Sequence, residues 1–126
     1  MTETVIDGAI RTILLSNSAV KGIVGKRVYP MKLPLNCSLP ALSVHKPSNP
    51  YSRIMGSPRF QISCWSEDFL EVQILAGAVE KALDGFSGKV DGFEIIQIVP
   101  LDSEDADEET TGLFHIPYDF QVIYRK

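Results

Sequence analysis

Apolar residues recur every three or four positions at the start of the chain. The positions that follow this period are Val5, Ile6, Ala9, Ile10, Ile13 and Leu14. On a helix they form one apolar stripe, so the pattern predicts an amphipathic helix near the N-terminus. Residues 16–18 should break it. A short second helical segment over residues 19–24 is predicted to end at Gly25, because glycine adopts a left-handed backbone at low cost.

The same period returns in the middle of the chain and predicts the longest helix. Its stripe consists of Phe69, Val72, Leu75, Ala76, Val79, Ala82 and Leu83. Ser66 is the predicted N-cap, with Glu67 and Asp68 in the first turn, where the helix dipole favours anions. Gly85 is the predicted end of this helix.

Alternating apolar and polar residues predict two half-buried strands. In residues 59–65, one face holds Phe60, Ile62 and Cys64. In residues 113–124, the apolar face consists of Phe114, Ile116, Tyr118, Phe120, Val122 and Tyr124. Pro117 interrupts that second strand and has no backbone donor, so it predicts an edge position or a bulge.

Other segments predict strands less regularly. Residues 28–29 and 41–46 are short candidates, the latter with Leu42 and Val44 facing inward. Residues 93–101 are apolar on both faces, which predicts a central strand. Residues 48–56 and 102–111 are predicted to be mobile loops, because the first is rich in Pro, Ser and Gly and the second in acids.

This order of elements predicts an α+β fold. We expect a mostly antiparallel sheet of about four strands, packed on one long helix and one N-terminal helix. The length of 126 residues fits a single domain spanning 1–126. No apolar run approaches the 18 residues of a membrane span, and the start lacks the basic and apolar regions of a signal peptide. The two cysteines, Cys37 and Cys64, are therefore expected to be reduced.

The net charge of −4 conceals two oppositely charged halves. Residues 8–66 carry eight bases and no acid, whereas residues 67–126 carry 14 acids and four bases. Such asymmetry indicates electrostatic partners, either within the subunit or in another molecule. Six acids fall within the eight residues 102–109: Asp102, Glu104, Asp105, Asp107, Glu108 and Glu109.

The motifs of catalysis and cofactor binding are missing. A calcium loop needs a glycine at its sixth position and a glutamate at its twelfth, and the acidic segment has neither when counted from Asp102 or from Asp105. Cys64 lies on an inward strand face, and neither His45 nor His115 belongs to a nucleophile motif. Residues 22–26 lack the spacing of a phosphate-binding loop. We therefore expect no enzyme activity, cofactor or metal.

Nucleic-acid binding is the alternative function. The acid-free stretch 8–66 interleaves bases with Tyr29, Tyr51, Phe60 and Trp65, a combination that can contact a phosphate backbone. However, its bases are dispersed over predicted helix, loop and strand, and the acidic half would repel DNA.

Taken in order, several segments resemble the tail-completion or tail-terminator proteins of long-tailed bacteriophages, which join head to tail. These segments are NSAVKGIVGKRVYP (17–30), LPALSV (39–44), RFQISCWS (59–66), a long helix ending at Ala82 and Leu83, and DFQVIY (119–124). The resemblance covers nearly the whole chain. The acidic segment is more charged than is usual in that family.

The resemblance implies a structural role in an α+β protein. It implies a homo-oligomeric ring, typically a hexamer, that caps the tail tube and joins it to the head connector. DNA would pass through the lumen without sequence-specific binding, and no membrane is involved. The partners would be the tail tube protein and the connector protein. The implied location is the head–tail junction of the virion, reached after assembly in the host cytoplasm.

The divided charge suggests how such a ring is held together. Heterologous contacts join unlike patches on successive subunits, and opposite potentials can set their register. The candidate contacts in the basic half are Lys21, Lys26, Arg27, Arg53 and Arg59. Alternatively, the two halves neutralise each other within one subunit. The acidic segment either lines the lumen, docks on the tube or connector, or is a flexible loop that orders only on assembly.

Overall fold

The computed structural model describes residues 6–30, 33–34, 36–48, 55–56, 59–103, 107–108 and 113–125. Within these residues the chain forms three helices and one sheet of eight strands. In chain order the elements are α1 (Ile6–Ser16), α2 (Ser18–Val24), β1 (Val28–Pro30), β2 (Ala41–Ser48), β3 (Met55–Gly56), β4 (Arg59–Ser66), α3 (Phe69–Leu83), β5 (Gly88–Val90), β6 (Phe93–Ser103), β7 (Asp107–Glu108) and β8 (Phe114–Arg125).

The sheet confirms the α+β class but not the predicted strand number. Its main path runs β1-β2-β4-β8-β6-β5, and the two-residue strands β3 and β7 both pair with β8. Every pairing is antiparallel except that of β1 with β2, so the sheet is mostly antiparallel as expected. The number of about four strands was too low: β1 had been a candidate, but β3, β5 and β7 have only two or three residues each, too few to show a period of two.

β8 takes the central position that the sequence suggested for β6. β8 pairs with β4 from Phe114 to Gln121 and with β6 from Tyr118 to Arg125. β6 is paired on both sides, as expected of an inner strand, but among the described residues its pairing with β5 reaches no further than Ile95. Register irregularities at Ile96 and Leu101 change the phase of the strand. A run that looks apolar on both faces therefore leaves these two side chains 39% and 44% exposed.

Pro117 lies in this central strand and not at an edge of the sheet. It pairs with Ser63 of β4, whereas the β6 ladder ends at Tyr118 and the β7 pairing ends at His115. Among the described residues, no strand pairs with Pro117 on that side of β8, which suits a residue that has no backbone N–H to donate.

The core lies between one face of the sheet and the helices. Phe60 and Phe120 are directly paired on β4 and β8, and both are fully buried. α1 contributes Ile10 and Leu14, and α3 contributes a stripe that includes Leu75. The inward positions predicted for both regular strands are confirmed, with Phe114 and Tyr118 only partly buried at the margin.

The predicted N-cap of α3, Ser66, was wrong. Asp68 caps α3, since its carboxylate accepts the Leu70 N–H at 3.0 Å. Ser66 is buried at the end of β4, where its hydroxyl accepts the Asp68 N–H at 3.0 Å and donates to Glu71 at 2.7 Å. The chain needs two residues to turn from strand to helix, so Glu67 and Asp68 precede the first turn. The predicted glycines at the helix ends are confirmed: Gly25 has φ 63° and Gly85 has φ 72°.

Some residues of both predicted loops belong to strands. β2 continues to Ser48, and Met55–Gly56 pairs with the end of β8 as β3. Asp102 and Ser103 belong to β6, and Asp107–Glu108 pairs with the start of β8 as β7. Residues 49–54, 104–106 and 109–112 lie outside the described residues. The mobility of both segments stays a prediction.

Candidate interaction surfaces

Arg59 joins the two charged halves of the chain within one subunit. Its guanidinium pairs with the Asp119 carboxylate at 2.5 Å across the β4–β8 ladder. The other oxygen of Asp119 accepts a hydrogen bond from the Gln61 amide at 3.2 Å. The Arg59 side chain is 48% exposed and that of Asp119 is 17% exposed. This predicted intersubunit contact is therefore already engaged inside its own subunit.

Two further arginines hold the helices to the sheet. Arg27 is half-buried and donates through Nε to the Pro40 carbonyl at 2.8 Å and through Nη2 to the Ile23 carbonyl at 3.3 Å. Arg11 donates through Nε to the Val28 carbonyl at 3.0 Å. Arg27 thereby fixes the end of α2 against the start of β2, which is a structural use of its charge.

The remaining predicted contact residues are scattered. Lys21 on α2 and Lys26 just after it are exposed. Asp102 is also exposed, and on β6 it lies opposite Asp119 of β8. Glu104, Asp105 and Glu109, together with Arg53, lie outside the described residues. Asp107 and Glu108 are described only as the backbone of β7. The described residues do not bring the acids together into one cluster.

The outer face of the sheet carries a polar and aromatic group. The indole of Trp65 stacks on the His115 imidazole, with ring centroids 3.9 Å apart and planes 4° apart. Its Nε1 donates to the Ser43 hydroxyl at 3.1 Å. Ser43 is buried, so this face is partly covered although it points away from the helices.

The geometry gives no support for thiol chemistry. Cys64 is fully buried on the helix-facing side, and burial raises the pKa of its thiol well above the ordinary value. The neighbouring Trp65 pairs with His115 on the opposite face, so the thiol and the imidazole are on different sides of the sheet. Cys37 is half-buried. Among the described residues, no three His, Cys, Asp or Glu side chains are grouped closely enough to hold a metal ion.

Sequence reasoning missed the exposed apolar side chains of α3. Val72, Leu75 and Val79 face the core, but Leu70 and Ile74 lie on the other side of the helix, 65% and 64% exposed. Phe69, predicted to be part of the buried stripe, is 43% exposed and packs edge-on against Phe114. The signal was available, since positions 70 and 74 are apolar and fall outside the buried stripe.

These side chains border a shallow depression between α2 and α3, called here the helix surface. It has a volume of about 370 Å³ and is lined by Gly22, Ile23, Asp68, Leu70, Glu71 and Ile74. Two acids and no base belong to this lining. The helix surface is therefore an apolar strip with a negatively charged margin.

A second depression lies beside β5 and β6, called here the strand surface. It has a volume of about 520 Å³ and is lined by Ser87, Gly88, Lys89, Glu94, Ile95, Ile96 and Arg125. Arg125 and Glu94 are 3.4 Å apart and both are more than half exposed. Two bases and one acid belong to this lining, so its charge is opposite in sign to that of the helix surface. The two surfaces share no residue.

Comparison with known proteins identifies the family. The family model described as "Tail completion protein gp17" matches residues 8–125. The structure also superposes on a chain from the virion of a native gene transfer agent (GTA) particle, with a TM-score of 0.78 and 17% sequence identity. The match covers 96% of this chain and 95% of that chain, and at this identity it shows a shared fold. No curated protein sequence matches significantly.

The chain belongs to the tail completion protein gp17 family. This confirms the resemblance found in the sequence, and the protein is a bacteriophage tail-completion protein with a structural role. A structural family favours a non-enzymatic function. In the part of the chain that the structure describes, no helix is long and apolar enough to cross a membrane.

Proposed function

We propose that this protein forms a ring, most simply a hexamer, that caps the finished tail tube and joins the tail to the head connector. The observation that carries the proposal is the family match over residues 8–125. The fold shared with a chain of a gene transfer agent virion supports the same role in a particle. The protein would act at the head–tail junction of the virion after assembling in the host cytoplasm.

The partners in this proposal are further copies of the chain, the tail tube protein and the connector protein. Lys21, Lys26 and Arg53 stay candidates for contacts between subunits. Arg27 and Arg59 would have to exchange their present partners, since they bond to the Pro40 carbonyl and the Asp119 carboxylate of their own subunit. The Arg59–Asp119 ion pair supports the version in which part of the charge is neutralised within each subunit, whereas Arg27 bonds to neutral carbonyl groups.

DNA would cross the lumen of the ring without sequence-specific contacts. Asp102 is exposed at the end of β6, where the segment 102–109 begins with its six acids. Facing the lumen, this segment would repel the phosphate backbone and let DNA slide. Facing along the axis, it would dock on the tube or the connector.

Negative-stain microscopy of purified tail tubes mixed with the protein tests this proposal. We expect a cap of uniform width at one end of each tube, and tubes without protein as the control should lack it. Uncapped tubes at saturating protein would contradict the proposal. Strong filter binding of DNA that falls steeply with salt, without caps on tubes, would instead favour the nucleic-acid-binding alternative.

A further inference from the structure

We infer that the helix surface of one subunit packs against the strand surface of the next copy of this chain, and that this pair of surfaces closes the ring. The inference rests on the proposed function and specifies which faces meet. It is carried by the positions of exposed apolar side chains, by a glycine in α3 and by the charges that border the two depressions.

α3 has two apolar faces, and only one of them is used inside the subunit. Leu70, Ile74 and Gly77 are spaced four and three positions apart, so they form a stripe on the solvent side of the helix. Ile23 of α2 borders the same depression and widens the apolar strip. Large aliphatic side chains that adjoin one another and are two-thirds exposed are typical of surfaces that contact another protein.

Gly77 is the position at which we expect the neighbouring subunit to come closest to the backbone of α3. Glycine in the middle of a helix is less favourable than alanine. A Cβ added at Gly77 would meet nothing within 4 Å, so crowding inside the subunit does not account for the glycine. Gly22 on α2 is equally unobstructed and lines the same depression. Both positions leave room for a neighbouring chain to come close to the helix backbone.

The strand surface offers a matching apolar edge. Its large exposed apolar side chain is Ile96, which stands at an irregularity of β6. Leu101 is also exposed, but it lies five residues further along the strand and outside this depression. β5 covers β6 only from Phe93 to Ile95. Among the described residues, no strand pairs with the outer edge of β6 beyond that point.

The charges identify the occupant as a second copy of the chain. Asp68 and Glu71 border the helix surface, whereas Lys89 and Arg125 border the strand surface together with Glu94, which pairs with Arg125 at 3.4 Å and leaves one base in excess. One chain thus carries both members of a complementary pair. Two helix surfaces placed face to face would bring four acids together, which disfavours a two-fold contact. Unlike surfaces that meet head to tail generate a ring when the rotation between subunits closes.

Site-directed cross-linking on capped tail tubes tests this contact. In a Cys37→Ser background, Ile74→Cys and Ile96→Cys are made singly and together, and the caps are treated with a short bismaleimide. Cys64 is fully buried and should not react. We expect the double variant to give a ladder of covalent oligomers that ends at the ring, and neither single variant to give a dimer. The matched control, Gly8→Cys with Ile96→Cys, uses an exposed residue of α1 that does not line the helix surface, and it should not cross-link.

The outcomes separate this inference from the proposed function. Capped tubes without a ladder, a dimer from the Ile74→Cys variant alone, or an equal ladder from the control pair would each overturn the inference while leaving the ring intact. If no variant and no wild-type protein caps tubes, the proposed function itself fails.

A substitution at Gly77 gives an independent readout. Gly77→Gln adds a side chain to the solvent side of α3, next to the helix surface, and Gly8→Gln is its control at an exposed, unobstructed position of α1. Both variants should keep or raise the thermal midpoint, because glutamine is the better helix former. We expect Gly77→Gln to raise the concentration needed to cap half of the tubes at least tenfold, and Gly8→Gln to leave it unchanged. Equal capping by both variants would contradict close packing at Gly77.

Discussion

At the scale of single residues, Arg59 and Asp119 show how the two charged halves of the chain meet. The basic residue lies on β4 and the acidic residue on β8, in neighbouring strands of one sheet. A lone surface pair of this kind contributes little because solvent screens it. The Gln61 amide also holds the Asp119 carboxylate, so this pair has a second bond that fixes its geometry.

We predict a small coupling between Arg59 and Asp119. In a double-mutant cycle with Arg59→Ala and Asp119→Ala, we expect a coupling free energy of about 0.5–1 kcal/mol from urea unfolding. The coupling should shrink at 1 M salt because the pair is partly exposed. A coupling near zero at low salt would show that the two halves do not neutralise each other here.

Tyr118 links β8 to α3 through its hydroxyl. It donates to the Glu80 carboxylate at 2.7 Å, and its ring stacks on Phe120. Partial burial, this hydrogen bond and the negative charges of Glu80 and Asp84 raise the pKa of Tyr118 to about 12. The ordinary value is 10.0, so between those two pH values only the unfolded chain ionises at this position.

The raised pKa predicts a loss of stability in alkali. The contribution of Tyr118 is complete below about pH 10 and is lost as the pH rises towards about 12. Tyr118→Phe should cost about 1 kcal/mol at pH 8 through the lost hydrogen bond. It should also reduce the fall in the free energy of unfolding between pH 9 and pH 11.5, measured by chemical denaturation. An unchanged pH profile in the variant would contradict this account.

At the scale of elements, sequence periodicity predicted long regular segments and missed the irregular ones. The buried stripe of α3 from Val72 onward and the alternation of β4 were correct because each spans two or more full periods, whereas Phe69 at the start of α3 is exposed. The exposure of Ile96 and Leu101 was missed because the irregularities at these residues depend on pairing with β8, which no local pattern shows. The Ser66 cap was wrong because that serine is still part of the strand.

The candidate surfaces were missed for a related reason. The charge pattern indicates Lys21 and the acidic segment as contacts. Among the described residues, neither is part of a cluster of charged side chains. The exposure of Leu70 depends on which side of α3 packs against the sheet. The helical period indicates that Leu70 lies outside the buried stripe, and the packing of α3 on the sheet determines that its side chain is exposed.

We predict that Gly77→Ala stabilises the isolated subunit. α3 runs for 15 residues and Gly77 lies in its middle with open space around it, so alanine should add about 0.5–1 kcal/mol to the free energy of unfolding. The control is Ala76→Gly at the neighbouring buried position, which should destabilise. A destabilised Gly77→Ala variant would mean that the glycine serves a purpose within the subunit.

At the scale of the whole molecule, the net charge of −4 is the sum of a basic and an acidic half, and the charged side chains of the basic half serve two purposes. Arg27 and Arg59 serve the subunit, whereas Lys21 and Lys26 are exposed on α2 and after it. Opposite potentials on separate faces speed and orient association more than they strengthen it. In the proposed ring, a subunit would therefore gain register from charge and affinity from its apolar surfaces.

We predict that the exposed lysines affect the rate of assembly. Lys21→Glu with Lys26→Glu should slow the capping of tubes several-fold at about 50 mM salt, and the difference should fade at high salt, where the Debye length is short. Time-resolved light scattering with tubes measures this. Arg59→Ala is the control, since Arg59 is engaged in its own subunit, and it should cap tubes at the wild-type rate.

The central claim is that unlike faces of identical subunits close a ring at the end of the tail tube. A cryo-electron microscopy map of capped tubes, at a resolution that shows side chains, tests it most directly. The account predicts a closed ring of this chain at the tube end, with Leu70 and Ile74 of each subunit against β6 of the next. A ring in which the solvent face of α3 touches no neighbouring subunit, or a tube end without a ring of this chain, would contradict it.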